Sequence, residues 1–304
     1  LDDLSSSKIE SFDEQMRRQR LRQLSTGITR FSWMKGGQIL LPHGEQIYIL
    51  DDFDSQPRLL IEDPEIKAVS PQSSPDGTKI AFVNNGDIWQ VNLDGSDLKQ
   101  ITFGDSYKTR GVADYIAQEE MGRANGFWWS LDSKFVAFSE VDNSQIPAFK
   151  ISHLADNNHQ DEIHYYPFVG SENPIVRIGI VNTDSLECNW IDTSGYEYIP
   201  RLNWVKSNQI LVQLQNREQT KLDVNLYNNS GKLLGTIIKE QSDFWINIHE
   251  AFQNLPNGKY VWTSEKTGFR HLYGLDLISR EINQITTGDW QIDSFEGFNK
   301  DTNE

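Results

Sequence analysis

Residues 73–102 read SSPDGTKIAFVNNGDIWQVNLDGSDLKQIT, and this stretch decides the fold. The runs 79–83 and 87–91 are rich in β-branched and aromatic residues. Turn sequences border them at 75–77 (Pro-Asp-Gly), 85–86 (Asn-Gly) and 94–95 (Asp-Gly). Runs this short cannot form independent helices, whereas their length is typical of antiparallel strands. The stretch therefore predicts a meander of short strands joined by tight turns.

The same pattern recurs along the chain, with further strand-like runs at 46–50 and 209–214. Each repeat begins with an aromatic or serine residue, continues through a turn, and then contains about three strands. The start-to-start spacing of about 40–55 residues is that of four-stranded propeller blades. Trp129 and Trp204 are 75 residues apart, which predicts an insertion or an extra irregular blade between them. We therefore expect an all-β chain that forms part of a β-propeller, with four-stranded antiparallel blades and short helical insertions. The repeats start near Phe31, Ser73, Trp128, Leu202 and Phe252.

Two segments depart from the strand pattern. Residues 11–24 predict a helix, because Ser11 and Glu14 have the spacing of a capping box and Thr26-Gly27 is a plausible stop. Residues 113–123 predict a second, short helix that ends between Gly122 and Gly126.

The alternation along the strands further predicts four buried aromatic residues, Phe82, Phe138, Tyr260 and Trp262.

Composition excludes several classes of protein. The chain has 304 residues, 37% of them hydrophobic, which is enough to build a core. The formal net charge of −16 disfavours nucleic acids and anionic membranes as partners, because both would be repelled. No run approaches the roughly 18 apolar residues of a membrane-spanning helix. The single cysteine, Cys188, excludes an intrachain disulfide framework.

The sequence contains no recognisable catalytic motif. Gly-x-Ser-x-Gly, a Walker loop, Gly-x-Gly-x-x-Gly and His-Glu-x-x-His are all missing. His153, His159 and His164 lie in one stretch, but their spacing fits no helix or strand geometry for zinc, so we expect loop histidines and no metal site. Cys188 has no neighbouring cation to activate its thiol, so an inert strand cysteine is expected. We predict no cofactor and no catalytic residue within these 304 residues.

Glu119 and Glu120 are the first candidate binding residues. Adjacent carboxylates repel unless a cation joins them, and a ligand ammonium group offers three N–H donors to such a pair. The alternative is a solvated helix face on which Glu120 pairs with Arg123 three residues later. The bare sequence leaves both open.

The second candidate is the stretch 17–22, which carries four arginines in six residues. In so acidic a chain this is a local cationic patch, and an arginine in it could hydrogen-bond a ligand carbonyl or carboxylate. The alternative is a helix that directs these charges into solvent.

Seven phrases of the sequence are distinctive: residues 117–132 (AQEEMGRANGFWWSLD), 136–147 (VAFSEVDNSQIP), 165–170 (YYPFVG), 173–179 (NPIVRIG), 198–204 (YIPRLNW), 263–273 (TSEKTGFRHLY) and 19–28 (QRLRQLSTGI). Together they resemble the dipeptidyl peptidase IV branch of the prolyl oligopeptidase family, and the last phrase in particular is similar to its bacterial members. The resemblance spans nearly the whole chain. One small departure is Leu131-Asp132-Ser133, which replaces the usual Pro-Asp-Gly turn.

This resemblance implies an eight-bladed β-propeller joined to a C-terminal α/β-hydrolase domain with a Ser-Asp-His triad. Residues 1–304 would then be a propeller fragment that lacks the hydrolase domain and is inactive alone. The implied activity of the parent is a serine-type release of Xaa-Pro or Xaa-Ala dipeptides from peptide N-termini. Within this chain, Glu119 and Glu120 would bind the substrate α-ammonium, and Arg17 or Arg18 would bind a peptide carbonyl.

The resemblance also implies partners: peptides with a free N-terminus, the protein's own hydrolase domain, and a second copy, since this branch often dimerises. Family habit favours a periplasmic or otherwise extracytoplasmic location. Two alternatives stay open. The chain could be a non-catalytic propeller that serves as an interaction or ligand-binding scaffold, and the parent could release tripeptides rather than dipeptides.

Overall fold

A computed structural model of the chain describes residues 11–23, 25, 27–105, 107–152, 161–249, 252–255 and 258–299. Strands dominate this part of the chain, and two short helices accompany them. The elements are α1 (Phe12–Arg20), β1 (Ser32–Trp33), β2 (Ile39–His43), β3 (Gln46–Leu50), β4 (Arg58–Leu59), β5 (Val69–Ser73), β6 (Lys79–Asn84), β7 (Asp87–Asn92), β8 (Lys99–Gln100), β9 (Lys108–Val112), α2 (Tyr115–Glu119), β10 (Asn125–Trp129), β11 (Phe135–Asp142), β12 (Ala148–Ser152), β13 (Asp161–Tyr165), β14 (Ile175–Asn182), β15 (Cys188–Ile191), β16 (Leu202–Lys206), β17 (Gln209–Gln215), β18 (Lys221–Asn228), β19 (Leu233–Gln241), β20 (Gln253–Asn254), β21 (Tyr260–Ser264), β22 (His271–Leu275) and β23 (Ile282–Gln284).

The strands form blade-like sheets in chain order. Four of the sheets are simple four-stranded meanders, β1 to β4, β5 to β8, β16 to β19 and β20 to β23. In the remaining large sheet, β10, β11, β14 and β15 form the meander and β9 pairs with both β10 and β11. Consecutive antiparallel strands in groups of four are the blades of a β-propeller, so the predicted fold class is confirmed. The total of eight blades stays a prediction.

Local turn chemistry explains the strand boundaries. Asn85 and Gly86 have φ angles of +51° and +77°, and they join Asn84 to its partner Asp87 across the β6–β7 hairpin. Two positive φ angles define a type I′ turn, whose twist matches that of the flanking strands. The predicted runs 79–83 and 87–91 accordingly fall inside β6 and β7.

The chain divides into two compact units. The first runs to Thr193 and includes 204–209 and 229–232, and the second holds 194–203, 210–228 and 233–304. In the first unit, buried apolar side chains of neighbouring sheets form one cluster, to which Leu40, Ile49 and Phe82 belong. All four aromatic residues expected in cores are buried, so that prediction is confirmed: Phe82, Phe138, Tyr260 and Trp262.

An insertion accounts for the long spacing between Trp129 and Trp204. Strands β12 and β13 form a separate two-stranded hairpin between β11 and β14, with Phe149 opposite His164. We call β12, β13 and the following residues to Phe168 the insertion hairpin. The expected insertion is therefore confirmed.

Both helices are shorter than the sequence predicts. Helix α1 ends at Arg20 rather than residue 24, because Arg22 adopts a left-handed φ of +53° and Gln23 N–H donates back to Arg18 O. Helix α2 covers 115–119 rather than 113–123, because Asp114 lies outside it as the N-cap. Thr26 lies outside the described residues. None of the helices among the described residues is long and apolar enough to span a membrane.

Candidate functional site

Helix α2 lies in the connection between two paired strands, β9 and β10. Gly111 and Gly126 face each other at the base of this connection, and a Cβ on Gly126 would lie 2.3 Å from Gly111 C. Only glycine permits such a close backbone approach. Ser139 Oγ of β11 lies 3.1 Å from both Val112 O and Gly126 O, to which it can donate. The sheet thus fixes both ends of the segment that carries α2.

A buried ion pair braces α2 from within. Asp114 Oδ1 accepts from Ala117 N–H at 3.0 Å and caps the helix, while Asp114 Oδ2 lies 3.5 Å from Arg123 Nη2. Arg123 N–H donates to Ala117 O at 2.8 Å, and Arg123 Nη1 donates to Asn125 O at 2.7 Å. Asp114 and Arg123 are both buried. A helix of five residues has little stability of its own, so these contacts determine its position.

Glu119 and Glu120 extend from the last turn of α2 into solvent. Both are exposed, and within the described residues no side-chain hydrogen bond or ion pair engages either carboxylate. The alternative of a Glu120–Arg123 pair is wrong, because Arg123 turns inward to Asp114. Desolvation raises the pKa of Tyr115, its hydrogen bond with Tyr166 raises it further, and the nearby negative charges of Glu119 and Glu120 act in the same direction.

Helix α1 supplies the predicted arginines and is held at its first turn. Ser11 caps α1 as expected, since its hydroxyl accepts from Glu14 N–H at 3.3 Å. The reciprocal half of a capping box is replaced by Glu45 of the β2–β3 turn, whose carboxylate accepts from both Ser11 N–H, at 2.8 Å, and Ser11 Oγ. Glu14 instead binds Arg17, with contacts of 2.6 Å to Nε and 2.5 Å to Nη2.

The arginines of 17–22 have different surroundings. Arg17 is buried beside Glu14, and its Nη1 atom has no hydrogen-bond partner among the described residues. Burial and the adjacent Arg17 lower the pKa of Arg30 to about 10. Arg18 donates to Ser25 O, whereas the Arg20 guanidinium lies 5.3 Å from the centre of the Tyr115 ring. Arg20 thus connects α1 with α2.

Two neighbouring cavities open between α1, α2 and the insertion hairpin. The first, of about 440 Å³, is lined by Glu119, Arg20 and Arg22 together with aromatic side chains. The second, of about 380 Å³, is lined by Arg17 and shares Arg20 and Tyr115 with the first. Both volumes are in the range of small-ligand sites. The structure therefore brings Glu119 into one cavity with Arg20 and Arg22, and it places Arg17 in the next.

The aromatic lining was not identified from the sequence as a site. Tyr166 and Phe168 follow β13, and Phe149 lies on β12; all three line the larger cavity. They fall within or beside phrases that resemble the family, but no periodicity marks them. Their density, with Tyr165, Tyr166 and Phe168 in four residues, was the available signal.

The remaining candidates from the sequence are the histidine stretch and Cys188. His164 lies on strand β13 rather than in the predicted loop. It lines both cavities, and its Nε2 lies 3.1 Å from Glu162 Oε2 on the same strand. His153 and His159 lie outside the described residues. Among the residues that are described, no three His, Cys, Asp or Glu side chains converge to hold a metal ion. Cys188 lies at the start of β15, the strand location expected for it.

Comparison with known proteins assigns the family. Residues 42–304 match the model of the dipeptidyl peptidase IV (DPP IV) N-terminal region, and the chain belongs to this family. It is similar to human dipeptidyl peptidase 8, with 26% identity over 89% of this chain and 38% of that protein. Dipeptidyl peptidase 4 of Felis catus is also 26% identical, over 75% of this chain and 34% of that protein. The chain thus spans little more than a third of the length of these relatives.

A solved structure supports the fold. The crystal structure of Porphyromonas gingivalis dipeptidyl peptidase 4 superimposes with a TM-score of 0.80, at 24% identity, over 93% of this chain and 43% of that one. The resemblance to dipeptidyl peptidases that the sequence predicts is confirmed at the level of family and fold.

Proposed function

We propose that this chain is the substrate-recognising propeller region of a serine exopeptidase that releases Xaa-Pro or Xaa-Ala dipeptides from free peptide N-termini. Its task is to bind the N-terminus, and bond cleavage belongs to a hydrolase domain outside residues 1–304. The family assignment and the names of the relatives support the reaction class. The observation that carries the proposal is the pair of exposed carboxylates at the end of a braced helix. No side chain in the described part of the chain engages either of them, and Glu119 lines a cavity.

In this proposal Glu119 and Glu120 bind the α-ammonium group. A charged amine that enters a partly dehydrated cavity loses hydration, and two carboxylates supply acceptors for its protons. Because the pair occupies a fixed position, the anchor also determines which peptide bond reaches the nucleophile. Release of dipeptides rather than tripeptides is part of the proposal, and mass spectrometry of the products from a proline-containing peptide tests it.

An arginine of α1 would bind a carbonyl of the bound residues. Arg17 and Arg18 are the sequence-based candidates. The unpartnered Nη1 of Arg17 supports that residue, whereas Arg18 donates to Ser25 O. Arg20 is a further candidate, since it lines both cavities. Arg17→Lys and Arg20→Lys keep the charge but lose the forked guanidinium. The variant that replaces the carbonyl-binding arginine should therefore have the lower kcat/KM.

The test of the anchor uses the complete gene product and a Gly-Pro anilide substrate. Charge-assisted hydrogen bonds contribute about 1.5–3 kcal/mol, so Glu119→Gln and Glu120→Gln should each lower kcat/KM roughly ten- to a hundredfold. An N-acetylated substrate should be poor with the wild type and should lose little more in either variant. Glu62→Gln, at an exposed carboxylate of the first unit, is the matched control and should leave both rates unchanged.

The rival function is a non-catalytic scaffold. It predicts no hydrolysis by the complete gene product and no discrimination between free and acetylated peptides. Equal losses on both substrates in the glutamate variants would likewise refute the anchor and indicate a structural role for the pair. Purified residues 1–304 should be inactive, because no activated nucleophile is expected there.

A further inference from the structure

The β2–β3 turn contains a glutamate in a backbone conformation that favours glycine. Gly44 and Glu45 have φ angles of +57° and +59°, and they join His43 to its partner Gln46. This is a type I′ turn like Asn85-Gly86 of the β6–β7 hairpin, in which glycine occupies the second position. A larger residue is strained in this left-handed region, and it persists there where the surrounding structure requires its side chain.

The side chain of Glu45 holds the start of α1. Glu45 is 7% exposed, and both of its carboxylate oxygens accept from Ser11, Oε2 from the backbone N–H at 2.8 Å and Oε1 from the hydroxyl. Ala68 N–H donates to Glu45 O at 2.9 Å, which ties the turn to the residue before β5. A carboxylate is tolerated in a buried position only when it is hydrogen-bonded, so the turn and the helix stabilise each other.

Helix α1 depends on such an attachment. Among its side chains that the structure describes, only that of Arg17 is buried. A helix of nine residues is not stable in isolation. At its other end the Arg20 guanidinium lies 5.3 Å from the centre of the Tyr115 ring, a contact that contributes little at a partly exposed position. The charge-assisted bonds between Glu45 and Ser11 are therefore the stronger of these two attachments.

We propose that Glu45 is a positioning residue, which holds α1 in place before any ligand binds and thereby keeps Arg17 and Arg20 at the cavity of about 380 Å³ that both line. This inference rests on the proposed function, in which an arginine of α1 binds a peptide carbonyl. When the helix is already attached, the substrate does not have to order it, and the apparent affinity is higher. The strain at Glu45 thus has a use, since a glycine at this position has no side chain that could reach α1.

Hydrogen exchange in the complete gene product tests the attachment. Glu45→Gly places the favoured residue in the strained conformation, so the β2–β3 hairpin should keep its stability while α1 is released. We expect the backbone amides of residues 15–21 to exchange at least about tenfold faster than in the wild type, and those of β2 and β3 to exchange as before. Glu45→Gln, which keeps the length of the side chain and removes its charge, is the second variant and should have a smaller effect in the same direction.

Asp97→Gly is the matched control. Asp97 also has a left-handed φ, of +52°, in the turn between β7 and β8, and its exposed side chain pairs with Lys99. The substitution therefore relieves backbone strain and removes a carboxylate without any change at α1. Exchange of residues 15–21, KM and kcat should all stay at their wild-type values. A faster exchange of α1 in Asp97→Gly as well would show that the carboxylate of Glu45 is not the cause.

Steady-state kinetics with a Gly-Pro anilide connects the attachment to substrate binding. If the substrate has to order a released α1, Glu45→Gly should raise KM about tenfold and leave kcat within about twofold of the wild type. A purely structural role would instead lower the fraction of folded enzyme, which reduces the apparent kcat at a constant KM. An unchanged KM, or a fall in kcat alone, would overturn the positioning role.

This inference and the proposed function fail in different ways. If the complete gene product does not hydrolyse the anilide, the proposed function is refuted, and hydrogen exchange still decides whether Glu45 holds α1. If hydrolysis depends on Glu119 and Glu120 but α1 exchanges equally fast in the wild type and in Glu45→Gly, the proposed function stands and the role of Glu45 is refuted.

Discussion

Replacing Asp114 with alanine removes two contacts of α2 at once, the cap on Ala117 N–H and the ion pair with Arg123. Loss of an N-cap costs about 1 kcal/mol. Removing one partner of a buried ion pair costs about 3–5 kcal/mol, because the remaining charge stays buried and uncompensated. The 3.5 Å separation and the remaining bond from Arg123 to Asn125 O favour the lower end. We therefore expect Asp114→Ala to lower the free energy of unfolding by about 4 kcal/mol.

Two further variants separate the cap from the pair. Asp114→Asn keeps an oxygen that can accept from Ala117 N–H, so it should lose only the ion pair, about 3 kcal/mol. Arg123→Met leaves Asp114 buried without its cation and should cost about the same. The double variant Asp114→Asn with Arg123→Met removes both charges, and should cost only about 1–2 kcal/mol in place of the summed 6 kcal/mol.

Urea unfolding of the complete gene product, followed by tryptophan fluorescence, measures these values. The Arg123 guanidinium lies 5.7 Å from the centre of the Trp128 ring, so this residue reports on the brace directly. Additive costs in the double variant, to within about 0.5 kcal/mol, would refute the argument that the two charges stabilise each other. A loss below about 1 kcal/mol for Asp114→Ala would refute the buried pair altogether.

Two other outcomes follow from the structure. Burial lowers the pKa of His249 below its ordinary value of 6.5, and the nearby Arg270 lowers it further. As the pH drops through 6.5, this histidine is therefore protonated in the unfolded chain before it is protonated in the folded chain, and the free energy of unfolding falls. Urea titrations between pH 5 and 7.5 should show this pH dependence, and His249→Gln should weaken it. A Cβ on Gly179 would lie 2.4 Å from the buried Phe138 ring. Gly179→Ala should therefore lower the free energy of unfolding by about 1–3 kcal/mol in the same assay, and by less in a Phe138→Leu background. An equal loss in both backgrounds would contradict the predicted clash.

The sheet architecture follows from short-range signals in the sequence. The Asn85-Gly86 turn and the alternating run 79–83 each specify backbone geometry with neighbouring residues alone, so β6 and β7 have the predicted boundaries within one residue. The predicted helix ends are less accurate: α1 stops at Arg20 because Arg22 adopts a left-handed φ, and α2 begins only after its N-cap, Asp114. The carboxylate that completes the start of α1 belongs to Glu45, which lies 34 residues from Ser11 and carries no local signal.

The candidate site also has one part that the sequence predicts and another that depends on contacts in the folded chain. Resemblance to a family singles out Glu119 and Glu120, whereas the sequence alone also allows Glu120 to pair with Arg123. That pairing fails because a spacing rule for exposed helices assumes that both side chains remain in solvent. Arg123 lies beyond the end of α2, where the chain turns back toward β10, and its guanidinium is drawn to a buried carboxylate that needs a partner.

The insertion hairpin was predicted only as extra length. Every residue of β12 is exposed and β13 has no fully buried residue, so neither strand contributes to a blade core. Exposed rings are poor evidence for a fold, and they become evidence for a site once the structure places them beside a carboxylate in one cavity.

The side chains that line the cavities of the candidate site thus come largely from segments that the blade repeat does not require: α1, α2 and the insertion hairpin. The blades determine where these three segments begin and end, and the segments are free to differ in the side chains that contact a ligand. Substitutions within them should therefore change which peptides bind, whereas substitutions in the blade cores should change stability.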